Sequence, residues 1–251
     1  MASAIVLAAL AGLLIGSFLN VVIARLPADE SIIRGRSRCP ACGATIRARD
    51  NIPVLSWLLL RGRCRDCGAP ISWRYPAVEL LTAALYAVTV AVHHHDTADM
   101  ALGLVLVTFL VPIAFIDLDV KRIPNALTLP AAVLAVVLGT ALDPGGEVER
   151  LIAGAAAAAF LGVPALINPK GMGMGDAKLT GVMGLYLGAP VAPAILIGLI
   201  AGVVAGVGIV AQKGMSDARR TPIPFGPFLA LGGVIAMLAG TPIIDWYTDT
   251  F

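Results

Sequence analysis

Charge is what this sequence has least of. Asp, Glu, Lys and Arg make up 14% of its 251 residues, while 58% are hydrophobic and the mean hydropathy is +0.88. Ordinary soluble domains carry about 25% charged residues. That shortage excludes a water-soluble globular body and predicts an integral membrane protein. Further absences narrow the class. No basic region precedes the first apolar stretch and no clear small-residue cleavage site follows it, so a retained first helix is expected rather than a removed signal. No period of about 20–50 residues repeats, as a solenoid would require. Cysteine is missing outside residues 39–67. No G-x-G-x-x-G follows a strand pattern, so a Rossmann-type nucleotide site is not expected, and nothing points to nucleic acid.

What is there is a series of apolar segments. Crossing a bilayer takes about 20 apolar residues per helix, and lipid offers no partner for open backbone groups. The segments at about 3–24, 76–95, 100–117, 124–142, 151–167, 178–192, 192–211 and 226–244 predict an all-α polytopic fold of about eight transmembrane helices. The sixth and seventh are parted only by GAPVAP. The expected organisation is a first helix over 1–24, one polar insertion over 25–75 and a membrane body over 76–251 of about seven helices. Ten Arg lie in 25–74, and with Lys121, Arg122, Lys170, Lys178, Lys213, Arg219 and Arg220 they put 17 of 18 basic residues on one side of such a bundle. Arg150 alone falls opposite. Basic residues collect on the cytoplasmic side, which predicts a cytoplasmic insertion and two extracytoplasmic termini. The HHHD run at 93–96 reads as a solvated loop, because adjacent imidazoles cannot all converge on one ion.

All four cysteines lie in the insertion, as CPAC (Cys39, Cys42) and CRDC (Cys64, Cys67), each followed by Gly. Two residues between thiolates let both reach one ion from a tight turn, and Gly43 and Gly68 allow the left-handed backbone that closes it. Two such turns predict one structural four-thiolate zinc site. A disulfide framework conflicts with a reducing compartment, and a redox pair lacks the βαβ pattern around it. A polar loop of this size needs a staple to fold.

Most acids fall in loops. Asp117, Asp176 and Glu79 do not. Asp117 closes the third apolar segment in FIDLDVKRIPN, and Asp176 opens the sixth in GMGMGDAKL. Ionisable groups at a bilayer margin are functional suspects. Two facing carboxylates supply an acid and a base in one site, enough to activate water and protonate a leaving amine. Gly171, Gly173 and Gly175 remove side chains next to Asp176, which lets an extended substrate backbone approach. PIPFGPFLALGG at 222–233 is a second Pro/Gly-rich stretch at the same edge. Glu79 reads either as a buried acid near Arg74 or as part of a second chemical site.

These residues resemble the type IV prepilin peptidases, which combine leader peptidase and N-methyltransferase activities. The resemblance runs through GSFLNVVIARLP, CPACG, DNIPVLSWLLLRGRCRDCGAPISWRYPAVELLTA, FIDLDVKRIPN, GMGDAKL and PFGPFLALGG in order, over nearly the whole chain. It implies that Asp117 and Asp176 are the catalytic pair of a GxGD intramembrane aspartyl protease, with GxGD at Gly173–Met174–Gly175–Asp176. Asp119 is not the family's position. The implied substrate is a prepilin or type II pseudopilin, cut after a Gly at the cytoplasmic face of the inner membrane and then N-methylated from S-adenosylmethionine. The chain departs from the family pattern at Arg47–Ala48–Arg49 and at Asn125. The arginines of the insertion would repel a basic leader and suit anionic membrane lipid. A proton- or cation-coupled transporter is the competing reading, but such proteins hold their acids near the midplane of matching repeats. A zinc-stabilised scaffold would leave GMGMGD without a role.

Overall fold

A computed structural model describes residues 1–168, 173–215 and 223–250. Gly171, Lys170, Arg219 and Arg220 lie outside the described residues. The described chain is helical, without strands, and divides into two compact units, Met1–His94 and His95–Phe251.

The first unit is a helical hairpin with the insertion at its turn. Helix α1 spans Ala2–Arg25 and α3 spans Arg74–His93. They run antiparallel at close range because glycine faces backbone: a Cβ on Gly12 would lie 2.7 Å from Ala83 Cα, and one on Gly16 would lie 2.7 Å from Glu79 Cα. Small residues at such crossings let helices approach in lipid, where no hydrophobic force drives them together. Asn20 Nδ2 closes the hairpin by donating to the Tyr75 carbonyl at 3.0 Å. Between the two helices, NIPVLSWLLL forms only a short helix, α2, over Leu55–Leu59.

The second unit holds α4 (Thr97–Val120), α5 (Asn125–Leu142), α6 (Glu147–Ile167), α7 (Met174–Leu187), α8 (Val191–Lys213) and α9 (Gly226–Thr250). Asp96, the last residue of HHHD, caps α4 by accepting the Asp99 N–H at 2.9 Å. Small residues again set the spacing. A Cβ on Gly184 of α7 would stand 2.6 Å from Gly154 Cα of α6, and Gly232 of α9 faces the α8 backbone.

Among the described residues, seven helices are long and apolar enough to cross a membrane. Of the eight expected spans, α7 is the one that falls short. It was expected over 178–192, but it begins at Met174 and ends at Leu187, where Gly188 turns to φ +65°. Its start lies earlier because the Asp176 N–H donates to the Gly173 carbonyl at 3.1 Å, which draws the GMGD segment into the first turn. Helix α4 likewise runs three residues past its expected end at 117. Both aspartates therefore sit within terminal helical turns.

One end of the second unit is ionic. Arg150, buried at the start of α6, donates to Asp143 Oδ2 at 2.8 Å, to the Asp143 carbonyl at 2.6 Å and to Glu147 Oε2 at 3.3 Å. Glu149 Oε1 accepts the Ala189 N–H at 3.0 Å, tying the far end of α7 to α6. The other end carries Asp117, Ile123, Asn125, Asp176, Lys178 and Gly226.

Candidate functional site

Two polar centres stand out, one in each unit. In the first, the CPAC and CRDC turns are near copies. Gly43 and Gly68 adopt φ of +72° and +73°, a region closed to most side chains, and their N–H groups donate to the Cys39 and Cys64 carbonyls at 2.8 and 2.9 Å. The Cys39 and Cys64 N–H groups donate to Ala44 and Ala69, and the isolated bridges Arg38–Thr45 and Arg63–Pro70 close each turn. The four sulfurs lie within 4.8 Å of one another, and Cys39 and Cys67 are 3.8 Å apart. Zinc–sulfur bonds of about 2.3 Å set tetrahedral sulfurs about 3.8 Å apart. The cluster fits a zinc ion, and the cysteines form no disulfide.

The thiols influence one another strongly. The Cys42 N–H, then that of Ala41, brings the Cys39 thiol down to about 7. Cys67 is pushed up to about 12: the Ala69 N–H favours its thiolate, but Cys42, burial, Cys64 and Cys39 together outweigh it. A cation among the sulfurs removes that conflict, since metal binding takes all ligands as thiolates and releases protons. Around the cluster, Arg65 binds Asp50 bidentately at 2.6–3.0 Å, and Arg47 pairs with Asp66 at 3.1 Å.

Glu79 belongs to this unit too. It is 7% exposed, and its Oε2 accepts the Val54 N–H at 2.7 Å. Val54 stands at φ +60°, rare for a β-branched residue. The buried carboxylate thus fixes a tight turn just before α2. Val54 was not legible as its partner, because the two lie 25 residues apart and join a side chain to a backbone group.

The second centre lies at the carboxylate end of α4 and α7. Asp117 is 5% exposed, whereas Asp119, two residues on, is exposed. The Gly226 N–H, at the start of α9, donates to Asp117 Oδ2 at 2.8 Å. Helix starts present unpaired N–H donors, and Pro227 at the next position suits that start. Asp176 is half-buried, and its carboxylate lies within electrostatic reach of Asp117. Three contacts fix the approach. A Cβ on Gly175 would meet Ile123 Cβ at 3.0 Å, one on Gly173 would meet Asp176 Oδ2 at 3.1 Å, and one on Gly226 would meet Asp117 Oδ2 at 2.8 Å. Lys178 Nζ donates to Asn125 Oδ1 at 2.9 Å, linking the first turns of α7 and α5. At each of these three positions a side chain would press on a neighbouring group of the site, most tightly at Gly226. Gly226 escaped the sequence reading as a carboxylate donor, although the Pro/Gly-rich stretch around it did not.

Comparison with known proteins decides the family. The bacterial peptidase A24 N-terminal domain matches residues 10–93, and the type IV leader peptidase family matches residues 104–210. A prepilin leader peptidase/N-methyltransferase of Aeromonas hydrophila is 40% identical over 269 aligned positions, covering 95% of this chain and 92% of that protein. The chain belongs to the type IV leader peptidase family. Proteins of the same name from Dichelobacter nodosus and Neisseria gonorrhoeae are 36% and 34% identical, covering 92% and 97% of this chain and 90% and 94% of theirs. No solved structure matches the chain. Membership in the leader peptidase family leaves nothing in favour of a transporter.

Proposed function

We propose that this chain is an intramembrane aspartic endopeptidase that removes the leader of type IV prepilins or type II pseudopilins and then N-methylates the new terminus. The observation that carries the reading is that Asp117 and Asp176, at the ends of two helices, lie within electrostatic reach of one another, each with a glycine against its carboxylate. A carboxylate pair in a water-poor site divides the work of hydrolysis. One takes a proton from water as the hydroxide adds to the scissile carbonyl carbon. The other gives a proton to the amide nitrogen, the C–N bond breaks, and a carboxylate and an amine leave. The Gly226 N–H holds Asp117 in one orientation throughout. Gly173 keeps a side chain away from the Asp176 carboxylate, while the space beside Gly175 is taken by Ile123.

S-adenosylmethionine is the second substrate: it supplies a methyl group to the freed amine nitrogen, the S–C bond breaks and a proton is lost. The zinc ion is structural, since four thiolates leave no open ligand position. The apolar helices, together with the family membership, support a place in the bacterial inner membrane. The crowding of basic residues supports a cytoplasmic insertion, extracytoplasmic termini and a site at the cytoplasmic face.

The test is cleavage of a purified prepilin in detergent without methyl donor, read by mass spectrometry. The wild type should release a product lighter by the leader, and Asp117→Asn and Asp176→Asn should not. Cleavage by both variants would remove the pair from the chemistry. Adding the methyl donor then reports methylation separately, as one added methyl mass on the cleaved product.

A further inference from the structure

The insertion carries an apolar surface that neither the zinc site nor the proposed peptidase chemistry uses. Leu55, Leu58 and Leu59 of α2 are 49%, 58% and 72% exposed, and Ile52 is 47% exposed. Trp57 between them is turned inward, its Nε1 donating to the Ile71 carbonyl at 3.0 Å. The exposed leucines therefore form one outward face of a short helix that is otherwise fixed.

Depth decides what that face meets. Helix α2 hangs from Val54, and Val54 is bound to Glu79, inside the membrane-crossing helix α3. Glu79 lies five residues beyond Arg74, the first residue of α3, or about 7.5 Å along the axis. Trp73 and Tyr75, 73% and 45% exposed, stand at that helix start, as aromatic residues do at a membrane–water boundary. Interfacial helices sink about 5–10 Å below that boundary. Immediately after α2 come Arg61 and Arg63, both exposed, while the nearby carboxylates Asp50 and Asp66 are already held by Arg65 and Arg47. Residues 25–74 carry ten Arg against four acids. An apolar face at that depth, rimmed by arginine, is complementary to an anionic lipid surface.

We infer that Leu55, Leu58 and Leu59 form an interfacial wedge that seats the zinc-binding insertion in the bilayer, with Arg61 and Arg63 on anionic headgroups. The insertion is then a membrane-bound platform, held to the lipid at α2 as well as by the two helices that flank it. This inference rests on the membrane-spanning hairpin and not on the peptidase reading.

The test uses the intact chain in vesicles containing a lipid with a photoactivatable diazirine near the top of one acyl chain. After illumination, trypsin releases residues 50–61, DNIPVLSWLLLR, and residues 39–47, CPACGATIR, from the zinc turn. The 50–61 peptide should carry several-fold more lipid adduct than 39–47. Leu58→Ser with Leu59→Ser should lower that adduct at unchanged zinc content. Replacing phosphatidylglycerol by phosphatidylcholine should lower it too, as should Arg61→Glu with Arg63→Glu, read on the longer peptide 50–65 that trypsin releases from that variant. Equal labelling of the two peptides would overturn the inference. Adduct on 50–61 that does not depend on headgroup charge would overturn the arginine contact.

Discussion

The two units solve one problem, fixing polar groups in a greasy chain, by opposite routes. The Met1–His94 hairpin closes over 55 residues, from Asn20 to Tyr75. The contacts that shape its metal turns are nonetheless short in sequence: cysteines three positions apart in each pair, glycines closing each turn, Arg65 on Asp50 fifteen residues away. In His95–Phe251 they are long. Gly226 reaches Asp117 across 109 residues, and Lys178 reaches Asn125 across 53. A metal cluster organises its loop locally and needs little from helix packing. A carboxylate pair at helix ends exists only if every helix of its unit is in register. Damage in the first unit should therefore stay local, whereas small steric changes in the second should reach the chemistry.

The largest expected effect breaks the local route. Structural zinc in small motifs contributes an apparent ~10–16 kcal/mol of binding free energy at neutral pH. Cys64→Ser or exhaustive chelation should release the metal, seen by elemental analysis, and expose residues 36–72 to protease and hydrogen exchange. Protection retained across those residues without metal would show that the loop folds unaided.

Next comes the long route. Asp117→Asn should cut cleavage by about 10²–10⁴-fold, the usual share of acid–base catalysis, at full zinc content. Zinc loss in that variant would mean that the contrast between the units fails. Of similar weight in free energy is Arg150→Ala. It strands the buried Glu147 carboxylate and should destabilise the chain by about 3–5 kcal/mol, read as a lowered unfolding midpoint in detergent. Adding Glu147→Gln should recover part of the loss.

A smaller change sharpens the comparison. Gly226→Ala puts a methyl against Asp117 and should cost about 1–3 kcal/mol, as overpacking does. Cleavage should fall while zinc content stays unchanged. The smallest effect concerns pH. The Arg150 guanidinium, then the Gly146 N–H, holds the Asp143 carboxyl below its usual range. A carboxyl lowered in the folded state contributes stability above its unfolded pKa and loses it as pH falls through the folded value. Asp143→Asn should therefore lower stability near neutrality and flatten the acid side of the profile, so that unfolding midpoints of variant and wild type converge at low pH.

The same contrast explains what was legible. Charge scarcity revealed the membrane helices, because lipid tolerates nothing else. The CxxC pairs with their following glycines revealed the metal cluster, since each half of it is complete within one turn and the two halves match. Asp117 and Asp176 stood out as acids beside apolar runs, but what orients them did not. Gly226 donates through its backbone, which leaves no side-chain signature, and Ile123 reads as one apolar residue among many. The bounds of α7 were misjudged because GMGD looks helix-breaking in isolation, yet Gly175 is helical and its missing side chain admits Ile123.

The shortness of α7 has a consequence for water. Its 14 residues make about 21 Å of helix, while the hydrocarbon of a bilayer is about 30 Å thick. Its far end is moored at Ala189 to the ionic end of α6. Fourteen residues of helix fall about 9 Å short of a full crossing. On the proposed peptidase reading, Asp176 works below the lipid surface only if water reaches it along the protein, so solvent supply would join the carboxylates in setting which bonds are cut.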